Sequence, residues 1–436
     1  MPKSMNGNGP PGAGESKRYP YFVFALLFLM YMFDYMDRMV VAALIPDLKR
    51  EWGITDAQAG LLVSLVYISI IATTFPISLM VDRWSRRKSI AIMGMIWSTA
   101  TGACAFAGNF VQLAIAKCFI GVGEAGYATG GTAMLSGLFP EKKRAMVMGF
   151  WNMSIPLGAA LGIAMGGVVA STWGWRYAFG LVAVPGFIVS ALFLFVKDYK
   201  TVELVKTSSG ADGNAKQVKM KARDIAAEFI KTPTLIFTYF AFAANVFLTT
   251  SMMFWMSTYF QRVDGLQQDE AGLKTGTVLL MAIVGAPLGG YLADRWRRTR
   301  INARSLFASL SSAFAAIVLF IAFFYLEGSA WQFPTLMLGG IAVVAFLPGA
   351  AAITQDVVHP GLRAVSYSLC VIVQNALGSA PGPPIIGYIS DKWDISTAMK
   401  IMPLAFAVAA LLHFIAAMFY ERDWNKVEKV ELKIED

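Results

Sequence analysis

Residues Tyr31 to Val41 read Tyr-Met-Phe-Asp-Tyr-Met-Asp-Arg-Met-Val-Val, and this stretch decides the fold. It sets Asp34, Asp37 and Arg38 inside an apolar run reaching from Tyr21 to Ile45. A run of that length crosses a bilayer, which takes about 20 apolar residues in a helix. Charges at such depth cost roughly 2.5–3.5 kcal/mol each on insertion scales and face a bundle interior or a wet cavity. Three and four residues apart, these groups share one helix face. Two readings are open: a buried ion pair that fixes packing, or a substrate or proton site of a polytopic membrane protein.

Composition supports a membrane bundle. The 436 residues are 56% hydrophobic and only 15% charged, against roughly 25% charged in soluble domains. The formal charge of +9 does not indicate nucleic acid, because the basic residues sit in short loops between apolar runs rather than in a stripe with exposed aromatics. Cys104, Cys118 and Cys370 lie inside apolar runs without a close pair, and His359 and His413 show no ligand spacing. Neither a disulfide framework nor a metal site is expected, no cofactor is implied, and both histidines read as structural. The Gly/Pro/Asn-rich start has no short apolar core of a cleavable signal and reads as a disordered tail.

Twelve apolar runs follow. The first six are Tyr21–Ile45, Ala57–Val81, Ser89–Ala107, Phe110–Leu135, Ala145–Ser171 and Tyr177–Val196. The second six are Thr234–Phe260, Gly272–Ala293, Leu306–Leu326, Phe333–Ile353, Val365–Ile389 and Thr397–Phe419. The expected layout is a tail over 1–18, a six-helix bundle over 19–196, a linker over 197–230, a second bundle over 231–420 and a tail over 421–436. The linker is rich in Lys, Ser and Gly, with room for a short amphipathic helix from Ala222 to Phe229. Most of the 37 Lys and Arg fall on one side of this arrangement, which makes both termini cytoplasmic by the positive-inside rule.

The chain repeats itself. Ser78-Leu-Met-Val-Asp82-Arg83-Trp84-Ser85-Arg86 returns as Gly290-Tyr-Leu-Ala-Asp294-Arg295-Trp296-Arg297-Arg298, each copy after the second span of its half. Two parallel six-helix repeats joined by a basic linker are the architecture of major facilitator transporters. The fold class is therefore an all-α membrane protein with twelve transmembrane helices in two pseudo-symmetric halves. Asp82, Arg83, Arg86, Asp294, Arg295 and Arg298 are the expected cytoplasmic gate, a latch holding the outward-open state.

The fourth run reads Ala-Lys117-Cys-Phe-Ile-Gly121-Val-Gly123-Glu124-Ala-Gly126-Tyr127. Its G-x-G-x-x-G match has no preceding strand and is rejected as a dinucleotide fingerprint. The glycines serve instead as close-crossing points between helices. Lys117 and Glu124 stack two turns apart on one face. With Asp34, Asp37 and Arg38 they make three acidic and two basic groups at membrane depth, and the surplus carboxylate is free to exchange a proton. A static network bracing the first and fourth helices is the competing reading. Asp37, Glu124 and Asp34 are the proton-coupling candidates. Arg38, Lys117, Tyr31 and Tyr127 are the substrate contacts of the first half, with Asn245, Thr249 and Trp255 from the second. There, Phe247, Met252, Met253 and Phe254 make the wall apolar. Gly and Pro in the fifth run (Pro156, Gly158, Gly162, Gly166) and the eleventh (Gly378, Pro381, Gly382, Pro383, Pro384) mark either moving gate helices or static kinks.

These residues resemble the spinster-like branch of the major facilitator superfamily. The resemblance rests on Asp37-Arg38, Gly121-Val-Gly123-Glu124-Ala125, Leu138-Phe139-Pro140 before Arg144, Ile155-Pro156-Leu157-Gly158 and Trp175-Arg176. It continues in Phe254-Trp255 before Tyr259 and in Pro384-Ile385-Ile386-Gly387 before Ser390-Asp391. It implies export or redistribution of lysolipids or sphingoid phosphates, with Asp37, Arg38 and Glu124 in coupling or binding. The chain departs from the branch at Lys117, where an Arg is usual, at the serines Ser78 and Ser85, and at Ser379, where an acidic residue is frequent. The expected function is secondary active, proton-coupled transport of an amphiphile with a charged head by a monomer in a bacterial inner membrane. The alternatives are a small organic anion such as a sugar acid as cargo, or a sensor on a transporter scaffold. An enzyme is not expected, since no nucleophile–base pair or metal spacing occurs near mid-membrane.

Overall fold

The structure, a computed structural model, describes residues 18–197 and 230–427, apart from residues 84, 126–129, 132–133, 136–137, 140 and 359–361. Side chains at 75, 78–83, 86, 141–142, 144–145 and 364 also lie outside the description. Residues 1–17 of the expected first tail, 198–229 of the expected linker with its Ala222–Phe229 helix, 428–436 of the expected last tail and His359 lie outside the described residues, while 421–426 continue the last helix.

Among the described residues there are helices and no strand. The first half comprises α1 (Tyr19–Ala43), α2 (Asp56–Arg83), α3 (Arg86–Cys104), α4 (Phe110–Glu124), α5 (Met146–Trp173) and α6 (Trp175–Phe195). The second comprises α7 (Pro233–Arg262), α8 (Gln268–Arg297), α9 (Ala303–Tyr325), α10 (Gln332–Asp356), α11 (Val365–Lys392) and α12 (Ile395–Lys426). Ten of these are long and apolar enough to cross a membrane, and α3 and α4 complete the twelve. The chain is an integral membrane protein.

Helices overrun their apolar cores because polar residues at the ends satisfy the unpaired backbone groups. Asn109 accepts from Gln112 N at 3.0 Å to start α4, and Asp394 accepts from Thr397 N at 2.6 Å to start α12. The first run is the reverse case. It breaks at Leu44, and a short helix, Ile45–Trp52, turns off before Gly53 ends it at φ +62°. The apolar run reached Ile45 because Leu44 and Ile45 are buried like the span itself. The Trp175-Arg176 pair secures this short helix. Trp175 Nε1 and Arg176 both donate to Glu51, at 2.8 Å and 2.6–3.0 Å. The Arg176 bonds hold the Glu51 carboxyl below its ordinary range.

Small residues set the packing. Along α5, a Cβ added at Gly158, Gly162 or Gly166 would fall 2.2 Å from Met32 O, 2.5 Å from Met36 O and 2.9 Å from Val40 Cγ2, so α1 lies directly on this stripe. The other side of α5 receives α8. Gly272 and Gly276 approach Ile163 O and Ala160 O, and Gly167 approaches Gln268 O. In α4, Gly121 meets the backbone of Val66 on α2 and Gly123 that of Trp97 on α3. The glycines thus act as crossing points, and Lys117 and Glu124 reach α1 between them. In α11 a π-turn at Asn375–Ser379 precedes Pro381, and Gly378 and Gly382 press on the α7 carbonyls of Ala243 and Phe247.

The start of α1 touches the end of α6 (Lys197 N to Tyr19 Oη, 2.7 Å), and the start of α7 touches the end of α12 (Thr234 N to Asp423 Oδ2, 3.1 Å). The ends of α1 and α7 come together at the opposite face, where Arg262 meets the α2 N-terminus. One face therefore carries both termini; it is called the terminal face below, and the other the outer face.

Candidate functional site

Asp34 and Arg38 are four residues apart on α1 with the acid N-terminal, the favourable order. Arg38 Nε and Nη2 both donate to Asp34 Oδ1 at 3.2 Å, and Nη2 also donates to Oδ2 at 3.1 Å. The same Nη2 lies 2.9 Å from Glu124 Oε2 on α4. That approach is an ion pair without hydrogen-bond alignment, since neither Glu124 oxygen has a hydrogen-bond partner. Two carboxylates thus share one guanidinium nitrogen, and one holds it far better than the other. The rings of Tyr35 and Tyr67 flank the guanidinium, with centroids 4.7 and 5.3 Å from Cζ. Such cation–π contacts contribute about 0.5–2 kcal/mol.

Asp37 turns away from this triad. Lys117 Nζ donates to Asp37 O at 3.1 Å and to Oδ1 at 3.4 Å, with the Phe179 ring 5.4 Å away. Asp37 Oδ2 has no hydrogen-bond partner. The five ionisable groups therefore form a balanced pair, Asp37–Lys117, and a triad, Asp34–Arg38–Glu124, carrying the surplus negative charge. Four of the five side chains have 0% exposure, and only Arg38, at 9%, reaches open space. Lys117 is fully enclosed in this conformation and is the cation that pairs with Asp37.

The remaining candidates separate. Tyr31 stacks on Trp151 at 4.7 Å, joining α1 to α5. Asn245 is buried inside the second half, accepting from Ser312 Oγ at 3.1 Å and lying 3.4 Å from His413 Nε2. Trp255 is fully buried and donates through Nε1 to Pro383 O at 2.9 Å, pinning α7 to α11. Asn245 and Trp255 are therefore packing groups in this conformation rather than cavity wall. Thr249 remains half-buried, its hydroxyl turned back to Asn245 O at 2.9 Å. Tyr127 and the side chains of Asp82, Arg83 and Arg86 lie outside the described residues.

In the second-half copy of the latch, Asp294 does not reach across to the first half. It pairs with Arg304 at 2.8 Å, and Arg304 also holds Asp356 at 2.7 Å, tying α8, α9 and α10 together. Arg295 and Arg298 are exposed, without a partner among the described residues. Among the described residues, the hydrogen bonds between the halves all lie at the outer face. There Arg262 grips Asp56 through both terminal nitrogens at 2.6 and 2.7 Å, and Ser390 Oγ donates to Asp56 at 2.7 Å. Asp391 accepts from the Asp56 and Ala57 N–H groups at 2.8 Å, capping α2 from the other half. Gln268 Nε2 donates to Ala43 O and to Asp47 at 2.7 and 2.9 Å.

The matching of this architecture to known proteins is direct. The family model for the Major Facilitator Superfamily matches residues 27–383. The chain belongs to the Major Facilitator Superfamily. It is a transporter by family and not an enzyme. Protein spinster homolog 1 of Xenopus laevis is 25% identical, covering 95% of this chain and 84% of the relative. The hexuronate transporter of Bacillus subtilis is 26% identical, covering 90% and 93%. The sphingosine-1-phosphate transporter SPNS2 of Mus musculus is 25% identical, covering 93% and 78%. Among solved structures, a bacterial homolog to the human lysosomal transporter spinster, inward-facing and unoccupied, superposes with a TM-score of 0.81 at 20% identity, covering 94% of this chain and 99% of that one. A D-xylose–proton symporter superposes at 0.70 with 14% identity, covering 95% and 99%. The spinster resemblance read from the motifs thus recurs over the whole membrane region.

The outer closure makes a prediction. Removing Arg262 leaves Asp56 with Lys49 (2.7 Å) and Ser390, and loses the one side-chain ion pair described between the halves. Coupling terms of this kind run about 1–3 kcal/mol, or 5- to 150-fold in a population. Spin labels at the exposed positions Gln58 and Lys392, on α2 and α11, measure the separation of the halves at this face. Arg262→Ala is expected to add a longer distance at least fivefold more populated than in the parent. Unchanged distances would remove the closure from the energetics.

Proposed function

We propose that the protein is an alternating-access carrier that couples uptake of a proton on Glu124 to the binding of an amphiphile with an anionic head at Arg38. One observation carries this reading: the single accessible charge of the buried network is a guanidinium already shared by two carboxylates. An incoming phosphate or carboxylate gains Arg38 only when one of them lets go. Glu124, without an aligned hydrogen bond, is the one to leave, and a proton on it removes the cost of stranding a buried charge. With the terminal face cytoplasmic, as the Lys/Arg bias indicates, the closed outer face corresponds to an inward-open state of a monomer in a bacterial inner membrane.

The whole-length similarity to spinster proteins and SPNS2 supports a lipid cargo. Met253, four residues after Thr249 and on the same face of α7, is half-buried and adds apolar surface there. A sugar acid would satisfy Arg38, but each hydroxyl left unpaired there would cost about 1–3 kcal/mol. Each buried methylene of a tail is worth about 0.8 kcal/mol relative to water. A tail arriving from the bilayer gains little of this, so the head supplies the selectivity. The second reading, a small organic anion, is supported by the hexuronate relative. No observation favours a non-transporting sensor.

The test is purified protein in liposomes with a pH gradient, comparing labelled lysophospholipid with labelled hexuronate. Saturable, gradient-dependent movement of the lysolipid is expected. Saturable hexuronate movement with none of the lysolipid would transfer the assignment to the second reading.

A further inference from the structure

α8 closes on Arg295-Trp296-Arg297-Arg298-Thr299-Arg300, and its arginines part company. Arg297 turns inward, lying over the Tyr420 and Trp424 rings at 5.3 and 4.4 Å and donating to Tyr420 Oη at 2.5 Å. Arg295 and Arg298 turn the other way. With Leu292, Trp296, Thr299 and Phe307 they line a pocket of about 630 Å³ between the ends of α8 and α9. Among the described residues none of its lining is acidic. Neither guanidinium, nor Trp296 Nε1, has a hydrogen-bond or ion-pair partner among the described residues. The nearby acids Asp294 and Asp356 are already engaged by Arg304.

The pocket continues into apolar surface. Leu288, one turn below Leu292 on α8, and Leu310 and Phe314, beyond Phe307 on α9, are exposed at 46%, 59% and 48%. Those side chains lie further along the apolar spans, while the arginines and Trp296 sit at the terminal face, where a bilayer spanned by these helices would place its headgroups. Arginine forks match phosphate oxygens, and basic pockets between transmembrane helices take anionic headgroups. Trp at this level is amphipathic and can donate through its indole nitrogen.

We propose that this pocket binds one anionic phospholipid of the leaflet at the terminal face. Its phosphate lies between Arg295 and Arg298, and its acyl chains run along Leu292, Leu288 and Leu310. The site is separate from the Arg38 triad and does not rest on the identity of the cargo. A soluble phosphate ester would find the arginines but not the apolar track, which is why a membrane lipid is the occupant.

The experiment is native mass spectrometry of the purified full-length protein in detergent, titrated with phosphatidylglycerol or with phosphatidylcholine of the same chains. At least one phosphatidylglycerol is expected to stay bound, with phosphatidylcholine retained about tenfold less. Arg295→Gln/Arg298→Gln is expected to abolish that preference, and Arg300→Gln, outside the pocket, to keep it. Arg295→Lys/Arg298→Lys preserves the charge count that sets membrane orientation, and should weaken binding severalfold by removing the fork. Equal retention of the two lipids, an unaltered preference in the double Gln variant, or glycerol phosphate competing as well as phosphatidylglycerol would each overturn the proposal.

Discussion

Replacing Arg38 with alanine is expected to abolish transport and to cost the folded protein about 3–5 kcal/mol, the usual penalty for removing one member of a buried ion pair. The cause is what stays behind. Asp34 has 0% side-chain exposure and accepts its described hydrogen bonds from Arg38, and Glu124 is equally buried. Without the guanidinium, two carboxylates within reach of one vanished nitrogen face each other in a low-dielectric interior. The compensating variant separates this from lost packing against Tyr35 and Tyr67. Arg38→Ala with Asp34→Asn and Glu124→Gln carries no stranded charge and should recover most of the melting temperature, while transport stays absent. If Arg38→Ala alone melts like the parent, the guanidinium does not offset the buried charge of Asp34 and Glu124. If the triple variant stays as unstable as Arg38→Ala, the ring contacts rather than the charges carry the stability.

The fold was legible because bilayer physics leaves few options. Runs of about 20 apolar residues must be helices, and the Asp82 and Asp294 repeat announced two halves. The glycines of α5 and α4 were legible in kind, as close-crossing points, but not in partner. Nothing in the sequence says that Gly158 and Gly162 meet α1 while Gly167 meets α8. The buried charges were equally visible, since five ionisable groups in apolar runs have no bland solvent-facing explanation. Their pairing was not. Asp37 and Arg38 are adjacent in sequence, yet the helix turns them about 100° apart, sending Asp37 to Lys117 and Arg38 to Glu124.

The outer closure was missed for a related reason. Asp56 opens α2, Arg262 closes α7 and Asp391 ends α11, so each looked like an ordinary charge at a helix terminus. Only the meeting of the two halves turns them into one cluster. The Ser390-Asp391 pair, noticed for its resemblance, was the available signal. Trp255 is the opposite case. A large aromatic beside Thr249 suggests a ligand wall, but a buried indole nitrogen needs an acceptor, and in this conformation Pro383 O supplies one.

The division into pair and triad also ranks the proton candidates, which the sequence offered as Asp37 and Glu124 together. Asp37–Lys117 is balanced, so neutralising Asp37 would leave a buried ammonium with only a backbone carbonyl beside it. The triad carries one negative charge too many, and a single proton makes it neutral. Between its carboxylates, Asp34 holds the guanidinium by three contacts and Glu124 by one without hydrogen-bond alignment. Glu124→Gln mimics the protonated state, keeps the Asp34–Arg38 fork and is expected to leave stability within about 1 kcal/mol of the parent, since no charge is stranded. In liposomes it should lose gradient-driven accumulation about tenfold or more while still exchanging cargo downhill. Asp37→Asn should instead lose stability and all transport, at every pH. Accumulation that follows the pH gradient undiminished in Glu124→Gln would move the coupling proton elsewhere. A pH response lost only in Asp37→Asn, with stability intact, would return the role to the α1–α4 pair.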